Sequence, residues 1–410
     1  MILYVRSERG AHSRRPSRKL VSIHQTWRDM GFEVELISGE DVYGAITDES
    51  ASNERAAPIQ FRSNPGLTGI QAPLVHSVSE YRDIRHDRLL KDLMLKQLAG
   101  RKPQLIWHRA SRLHLAPLLV ARELGVPYAL EWIDRLISYN FSLFRHKAVA
   151  ADDRRMQEAL RVIVVSQRWK QEVVDEYGIG PERVIVSHNA VDADQFTRDP
   201  EAGARIRQQI GIPSDALVMG FVGKYNWHHN AHLMPQAAAM LRKETDAPIY
   251  WLLVGDGPHR AHMEAVTNEL GVDDIVVRQG SVPHDEVPAW MSAMDAGVVP
   301  VSGGEIICPI KVPEYMAAGL CPVVADGAAN REVVETGRTG MLFRSGDARS
   351  MADAVRELSD TPGLVGRLGS AAQAEAAVRF SWRATWGQAL LDVLAEIEEG
   401  NTRPAGPERN

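Results

Sequence analysis

Gly303-Gly304-Glu305-Ile306-Ile307-Cys308-Pro309-Ile310-Lys311-Val312-Pro313-Glu314-Tyr315-Met316-Ala317-Ala318-Gly319-Leu320-Cys321-Pro322-Val323-Val324 decides the fold. A double glycine exposes backbone N–H groups, a short helix starts around the prolines, and an apolar strand follows at once. Loop, helix and strand in that order form one step of a parallel α/β sheet, in which ligands sit beyond the C-terminal strand ends. Lys311 can neutralise a phosphate. Glu314, on the helix, can accept two hydroxyl donors, as a ribose diol requires. Pro313 is compatible with this helix only if the helix begins near 312–313, because an interior proline removes a hydrogen bond.

Working outward, the same alternation fills the chain. Apolar runs of strand length at 218–222, 249–254, 275–279, 296–300 and 322–325 alternate with helix patterns at 232–243, 260–270, 287–294 and 314–318. An earlier round has strands at 2–5, 32–37, 105–107, 128–132, 162–165 and 184–187, with helix patterns at 20–30, 87–98 and 168–177. Two such rounds predict an α/β chain of two Rossmann-like, doubly wound domains facing a cleft. A polar, proline-containing stretch near 192–213 joins them. The expected division is 1–195, 196–379, a helix at 380–400 returning to the first domain, and a disordered tail at 401–410. The polar stretch 48–68 shows no period and is expected to be a long loop.

Composition agrees. The chain has 410 residues, 44% hydrophobic and 24% charged, which excludes a disordered chain and allows two or three domains. No run of about 18 apolar residues predicts a transmembrane helix, and the N-terminus reads as a strand and not a signal peptide. Two cysteines, Cys308 and Cys321, give no zinc cluster and no disulfide framework. A cytoplasmic protein is expected, with no nucleic-acid partner and no indicated membrane association. Net charge is −6, but residues 1–195 carry 28 basic against 25 acidic side chains, +3, and the remainder carries −9.

Two further glycine turns follow strands in the second half. Gly220-Phe-Val-Gly223-Lys224 leads through Tyr-Asn-Trp-His-His229-Asn230 into a helix, where a lysine and free N–H groups suit a phosphate. Leu253-Val-Gly255-Asp256-Gly257-Pro258 is the other, and it reads as structural. Neither is GxGxxG, and only Gly10 follows the first strand, which argues against a dinucleotide-dependent dehydrogenase. In the first half, Ile106-Trp107-His108-Arg109 and Leu130-Glu131-Trp132-Ile-Asp134 end at strand termini on the same side. Histidines 228, 229, 232, 259 and 284 lack metal spacing and read as surface residues.

These stretches, taken in order, resemble a family: the retaining GT-B glycosyltransferases of the group-1, family-4 type. Val162-Ile-Val-Val-Ser166-Gln-Arg, then Val184-Ile-Val-Ser-His-Asn189-Ala-Val191-Asp192-Ala-Asp-Gln-Phe196, is similar to the signature closing the family's first domain, with Ala190 where glycine is usual. Leu253 to Pro258, Gly280-Ser-Val-Pro-His-Asp-Glu-Val-Pro, Asp295-Ala-Gly-Val-Val-Pro300 and Pro309 to Val324 match in order and spacing. Asp192-Ala-Asp194 lies inside this signature and is not assigned to a metal.

The resemblance implies a hexosyltransferase that moves a sugar from a nucleotide-diphosphate sugar, UDP-linked by expectation, to a hydroxyl of a small-molecule, glycan or lipid acceptor. It implies no permanently bound cofactor and no metal. Glu314 matches the second glutamate of an E-x7-E motif and would bind the ribose. Lys311, with the backbone of Cys308, Pro309 and Ile310, matches the diphosphate turn preceded by Gly303 and Gly304, and Lys224 matches a basic residue after the first strand of the donor domain. His229 stands where a second basic residue is usual, and Val282 where the backbone meets the base. The first motif glutamate would fall on Ile306. Either Glu305, one residue away, reaches the donor sugar, or that contact is missing. His108 or Arg109 falls near the family's cleft histidine, with Gly10, Glu131 and Asp134 on the acceptor side. Catalysis would rest on Lys224, Lys311, His108 and Arg109, the leaving phosphate itself accepting the acceptor proton on the same face. The alternatives are a nucleotide-sugar epimerase or hydrolase of the same fold, or a non-catalytic nucleotide-binding partner protein.

Overall fold

The structure, a computed structural model, describes residues 1–8, 18–43, 71–133, 143–226, 229–301 and 309–400. It divides into two compact units. Unit 1 holds Met1–Val164, Lys170–Val186 and the segment from Gly387, and unit 2 holds Val165–Trp169 and Ser187–Trp386.

Unit 1 is a six-stranded parallel sheet of β1 (Ile2–Arg6), β2 (Val34–Ser38), β3 (Leu105–Arg109), β4 (Tyr128–Glu131), β5 (Arg161–Val164) and β6 (Val184–Val186), in the order β2-β1-β3-β4-β5-β6. Its helices are α1 (Arg18–Asp29), α2 (Gln71–Leu98), α3 (Ala116–Leu124), α4 (Arg145–Glu158) and most of α5 (Gln167–Tyr177). The expected helix at 87–98 is the second half of the longer α2; the expected loop at 48–68 lies outside the described residues. An aromatic cluster fills the space under β1 and β3: Trp27 meets Tyr4 at 5.1 Å and Trp107 edge-on at 4.9 Å, and all three are fully buried.

Unit 2 repeats the plan. Its helices are α6 (Pro200–Gln209), α7 (Leu233–Glu244), α8 (Arg260–Glu269), α9 (Val287–Ser292), α10 (Lys311–Ala317), α11 (Ala328–Arg331), α12 (Ala348–Asp360) and α13 (Leu364–Arg379). Its strands are β7 (Leu217–Val222), β8 (Ile249–Val254), β9 (Val276–Gly280), β10 (Ala296–Val299), β11 (Cys321–Ala325) and β12 (Met341–Phe343), all parallel in the order β12-β11-β10-β7-β8-β9. Strand residues alternate between two cores. Met219, Phe221, Trp251 and Leu253 pack with α7, α8 and α12, while Val218, Val222, Leu252 and Val254 pack with α9, α10 and α13. A chain that covers both faces of a sheet needs near-continuous apolar strands, which is what the sequence shows.

The chain leaves unit 1 at Val186, earlier than 195. Val191 donates its N–H to the Phe380 carbonyl at 2.8 Å, and Val191 and Phe196 are buried in unit 2's core. The stretch near 192–213 contains a helix: the Asp199 carboxylate accepts the Ala202 N–H at 2.9 Å and Pro200 opens α6. Near the other end, α14 (Gln388–Glu398) belongs to unit 1, where Glu396 pairs with Arg161 at 2.5 Å. The return therefore begins at Gly387, later than 380. The tail at 401–410 lies outside the described residues.

Candidate functional site

In unit 2 the strand order reverses direction between β7 and β10, which pair directly through Ala296–Met219 and Gly297–Gly220. Such a reversal opens a crevice beyond the C-terminal strand ends. Lys224 follows β7 and is exposed; Lys311 and Glu314 open α10, which follows β10.

One hydrogen bond fixes α10 against β7. The Val222 N–H, at the last residue of β7, donates to the Tyr315 hydroxyl at 2.8 Å. Tyr315 is fully buried, and its ring occupies space that only a glycine leaves: a Cβ on Gly297 would lie 2.3 Å from it. The neighbour of Glu314 is thus tied two residues short of Lys224. Lys311 and Glu314, one helical turn apart, join as an ion pair at 2.5 Å, with Glu314 largely buried and Lys311 30% exposed. Pro313 sits in the first turn of α10, where its missing N–H leaves no gap in the ladder. Ile310 is exposed just before it.

The two glycine turns after β7 and β8 interlock. Gly223 donates to the Val254 carbonyl at 3.0 Å, Tyr225 to Asp256 at 3.1 Å, and His259 to Tyr225 at 2.9 Å. Gly255 has φ +143°, and a Cβ there would lie 1.8 Å from the Gly223 carbonyl oxygen. The Gly255–Pro258 turn therefore shapes the Lys224 loop. His229 bonds through Nδ1 to the Lys224 carbonyl, so the imidazole braces the loop that carries the lysine. Val282 is half-buried beyond β9 and packs against the core.

In unit 1 the reversal falls between β1 and β3. Glu131, at the end of β4, is fully buried; it accepts from the Tyr4 hydroxyl at 2.7 Å and the Trp107 indole at 3.2 Å, and lies 3.4 Å from Arg109. Burial works against the Arg109 charge, but Glu131 and Tyr4 outweigh it and hold the guanidinium protonated above its usual range. Nearby, burial pushes the Lys19 ammonium down to about 7 against the opposing pull of Glu131, with Arg109 adding to the fall.

His108, expected near the cleft, lies in the interior of unit 1. Its ring is fully buried, with Nδ1 bonded to the Tyr128 hydroxyl at 2.7 Å and Nε2 to Ser7 Oγ at 2.8 Å. Burial, then the charges of Arg155 and His114, holds it well below its ordinary pKa. Both nitrogens being spent, His108 is a neutral core residue and Arg109 is the partly exposed member of the pair. Glu131 is likewise interior, paired with Arg109. Asp192 caps its own turn, accepting from the Asp194 N–H at 3.2 Å and the Gln195 amide at 2.9 Å. Gly10, Asp134, Gly303, Gly304, Glu305 and Cys308 lie outside the described residues. Sequence reasoning missed Tyr315 and Gly297; a glycine inside an otherwise apolar strand was the available signal.

The sequence pattern of "Glycosyltransferase Family 4" matches residues 18–195, and that of "Glycosyl transferases group 1" matches residues 216–361. A 2-deoxystreptamine glucosyltransferase of Streptomyces kanamyceticus is 30% identical over 313 residues, covering 73% of this chain and 76% of the relative. The chain belongs to the group-1, family-4 glycosyltransferases. A D-inositol 3-phosphate glycosyltransferase of Thermobispora bispora is 31% identical to this glycosyltransferase, over 61% of the chain and 59% of the relative, less than two thirds of its length. An Anabaena HepE structure in complex with UDP is 18% identical, with a TM-score of 0.68 over 98% of this chain and 99% of that one. The sucrose-phosphate synthase of Thermosynechococcus elongatus is 15% identical, also with a TM-score of 0.68, over 98% and 100%. Both share the GT-B fold, with its two Rossmann-like domains, with this glycosyltransferase.

Proposed function

We propose that this glycosyltransferase moves a hexose from a UDP-sugar to a hydroxyl of a small cyclitol, with retention at the anomeric carbon and no metal ion. The Tyr315–Val222 bond carries the donor half of this reading, because it ties the Lys311–Glu314 turn to the strand that delivers Lys224. Glu314 accepts the ribose hydroxyls, and Lys311 turns from Glu314 to the diphosphate. Lys224 adds a second cation where negative charge develops as the sugar departs. The leaving phosphate oxygen takes the acceptor proton on the face from which it left, so the side chains need supply only position and charge. The acceptor class is supported by the relatives' names, since 2-deoxystreptamine and inositol phosphate share a six-membered polyhydroxylated carbocycle.

The test is a transfer assay with UDP-, GDP-, ADP- and TDP-glucose against 2-deoxystreptamine and inositol phosphates, with the product's anomeric proton followed by NMR. The reading expects turnover with UDP-glucose, an α-linked product and no loss in EDTA. A β-linked product, or activity abolished by EDTA, would overturn the mechanism. Rapid conversion of donor without acceptor would instead favour an epimerase or hydrolase.

A further inference from the structure

Beside the Lys224 loop, unit 2 carries a pocket of about 360 Å³ lined by Asn226, Ala231, His232, His259, His262 and Met263. Three histidines far apart in pattern come together here. The rings of His232 and His262 are 5.6 Å apart, and those of His259 and His262 are 6.5 Å apart. Asn226 is only 8% exposed, and its side-chain amide has no hydrogen-bond partner among the described residues. Asn226 lines the pocket, where its amide can donate to a bound ligand. The ten-residue helix α8 also begins at this wall, with His259 as its N-cap and no side-chain cap on its first N–H groups.

The chemistry of the wall selects the partner. Amide N–H2, imidazole N–H and helix N–H groups are donors, and among the described residues no carboxylate lines the pocket. Among the described residues no group of three His, Cys, Asp or Glu is placed to hold a metal ion. His232 is held below its usual pKa by burial and then by His262 and His259, a repulsion that a bound anion would relieve. We propose that this pocket binds a phosphate group, free or as the monoester of a small alcohol, at a site separate from the donor diphosphate. It adjoins the donor loop through the backbone: Asn226 donates to the Lys224 carbonyl at 3.0 Å, and His259 to Tyr225 at 2.9 Å. The assignment does not depend on the identity of the donor sugar.

The experiment is a titration of the UDP-saturated full chain with inorganic phosphate and, separately, glycerol phosphate, read by calorimetry and by the histidine ring resonances in NMR. The expected result is saturable binding that shifts three histidines. In a His259→Ala/His262→Ala variant, phosphate affinity falls about tenfold or more, while UDP affinity and the melting temperature without phosphate are kept. Tighter binding of glycerol phosphate marks the monoester as the ligand, and equal or weaker binding marks free phosphate. Displacement of phosphate by UDP, unchanged affinity in the double variant, or binding of Zn²⁺ with none of phosphate would overturn the proposal. Should the double variant fail to fold, His262→Gln alone must show the same selective loss.

Discussion

Glu314 and Lys311 are each other's partner, and in the proposed reaction both change partner when the donor binds. Glu314→Ala removes a charged acceptor whose hydrogen bonds are worth about 1.5–3 kcal/mol each, so kcat/KM is expected to fall by roughly two orders of magnitude or more. Lys311→Ala should do the same, with the circular dichroism spectrum unchanged. Steady-state kinetics on the purified variants checks both. His108 predicts the opposite pattern: His108→Gln should lower the urea midpoint while leaving the KM for donor intact. The place of Glu314 and Lys311 at a helix start was legible in the sequence from the glycine loop and prolines before them. His108 and Arg109 were not separable there, because alternation along β3 sends neighbours to opposite faces and the sequence does not say which face is sealed.

At the scale of elements, the placement of α10 depends on a small residue in a strand and a hydroxyl in a helix. Gly297→Ala drives a methyl into the Tyr315 ring and should cost about 1–3 kcal/mol, with a loss of UDP affinity that a mere stability defect would not produce. Tyr315→Phe leaves the Val222 N–H unpaired and should cost a similar ~1–3 kcal/mol. In unit 1, Asp87 of α2 caps α3 from outside, accepting the N–H groups of Leu115 at 3.0 Å and Ala116 at 2.8 Å. Burial nevertheless pushes its carboxyl up to about 6, against those bonds and the Arg155 charge. The folded state therefore holds the Asp87 proton more tightly than the unfolded chain. That stabilisation is full below the ordinary carboxylate pKa and is lost as pH rises to about 6. Urea melts should show the wild type losing ground to Asp87→Asn between pH 4 and pH 6. A constant difference over that range would contradict the assignment. Eleven of the twelve described strands and many helices were legible from apolar runs, but β12, α11, α12 and α13 were not read, and α6 was hidden in a proline-containing stretch whose Asp199-Pro200 start is a helix signal as much as a linker signal. Cross-element caps such as Asp87 leave no local pattern at all.

Over the whole molecule, two sheets of the same design divide the work and the charge. Residues 196–410 carry a net −9, yet the two lysines expected at the phosphates stand at the reversal of the unit 2 sheet, so local placement and not total charge selects an anionic donor. The number of domains was readable from two rounds of strand and helix. The crossing points were not, because Val191 and Phe196 join unit 2 through packing that a composition change does not mark. All the described residues proposed to bind the donor belong to unit 2, so UDP should raise the melting transition of that unit, by linkage, more than that of unit 1. The most direct test of the donor site is a calorimetric titration of UDP into the wild type and Glu314→Ala. The account predicts one UDP per wild-type chain and at least about a tenfold weaker affinity in a variant of unchanged melting temperature; equal affinities in the two proteins would contradict it.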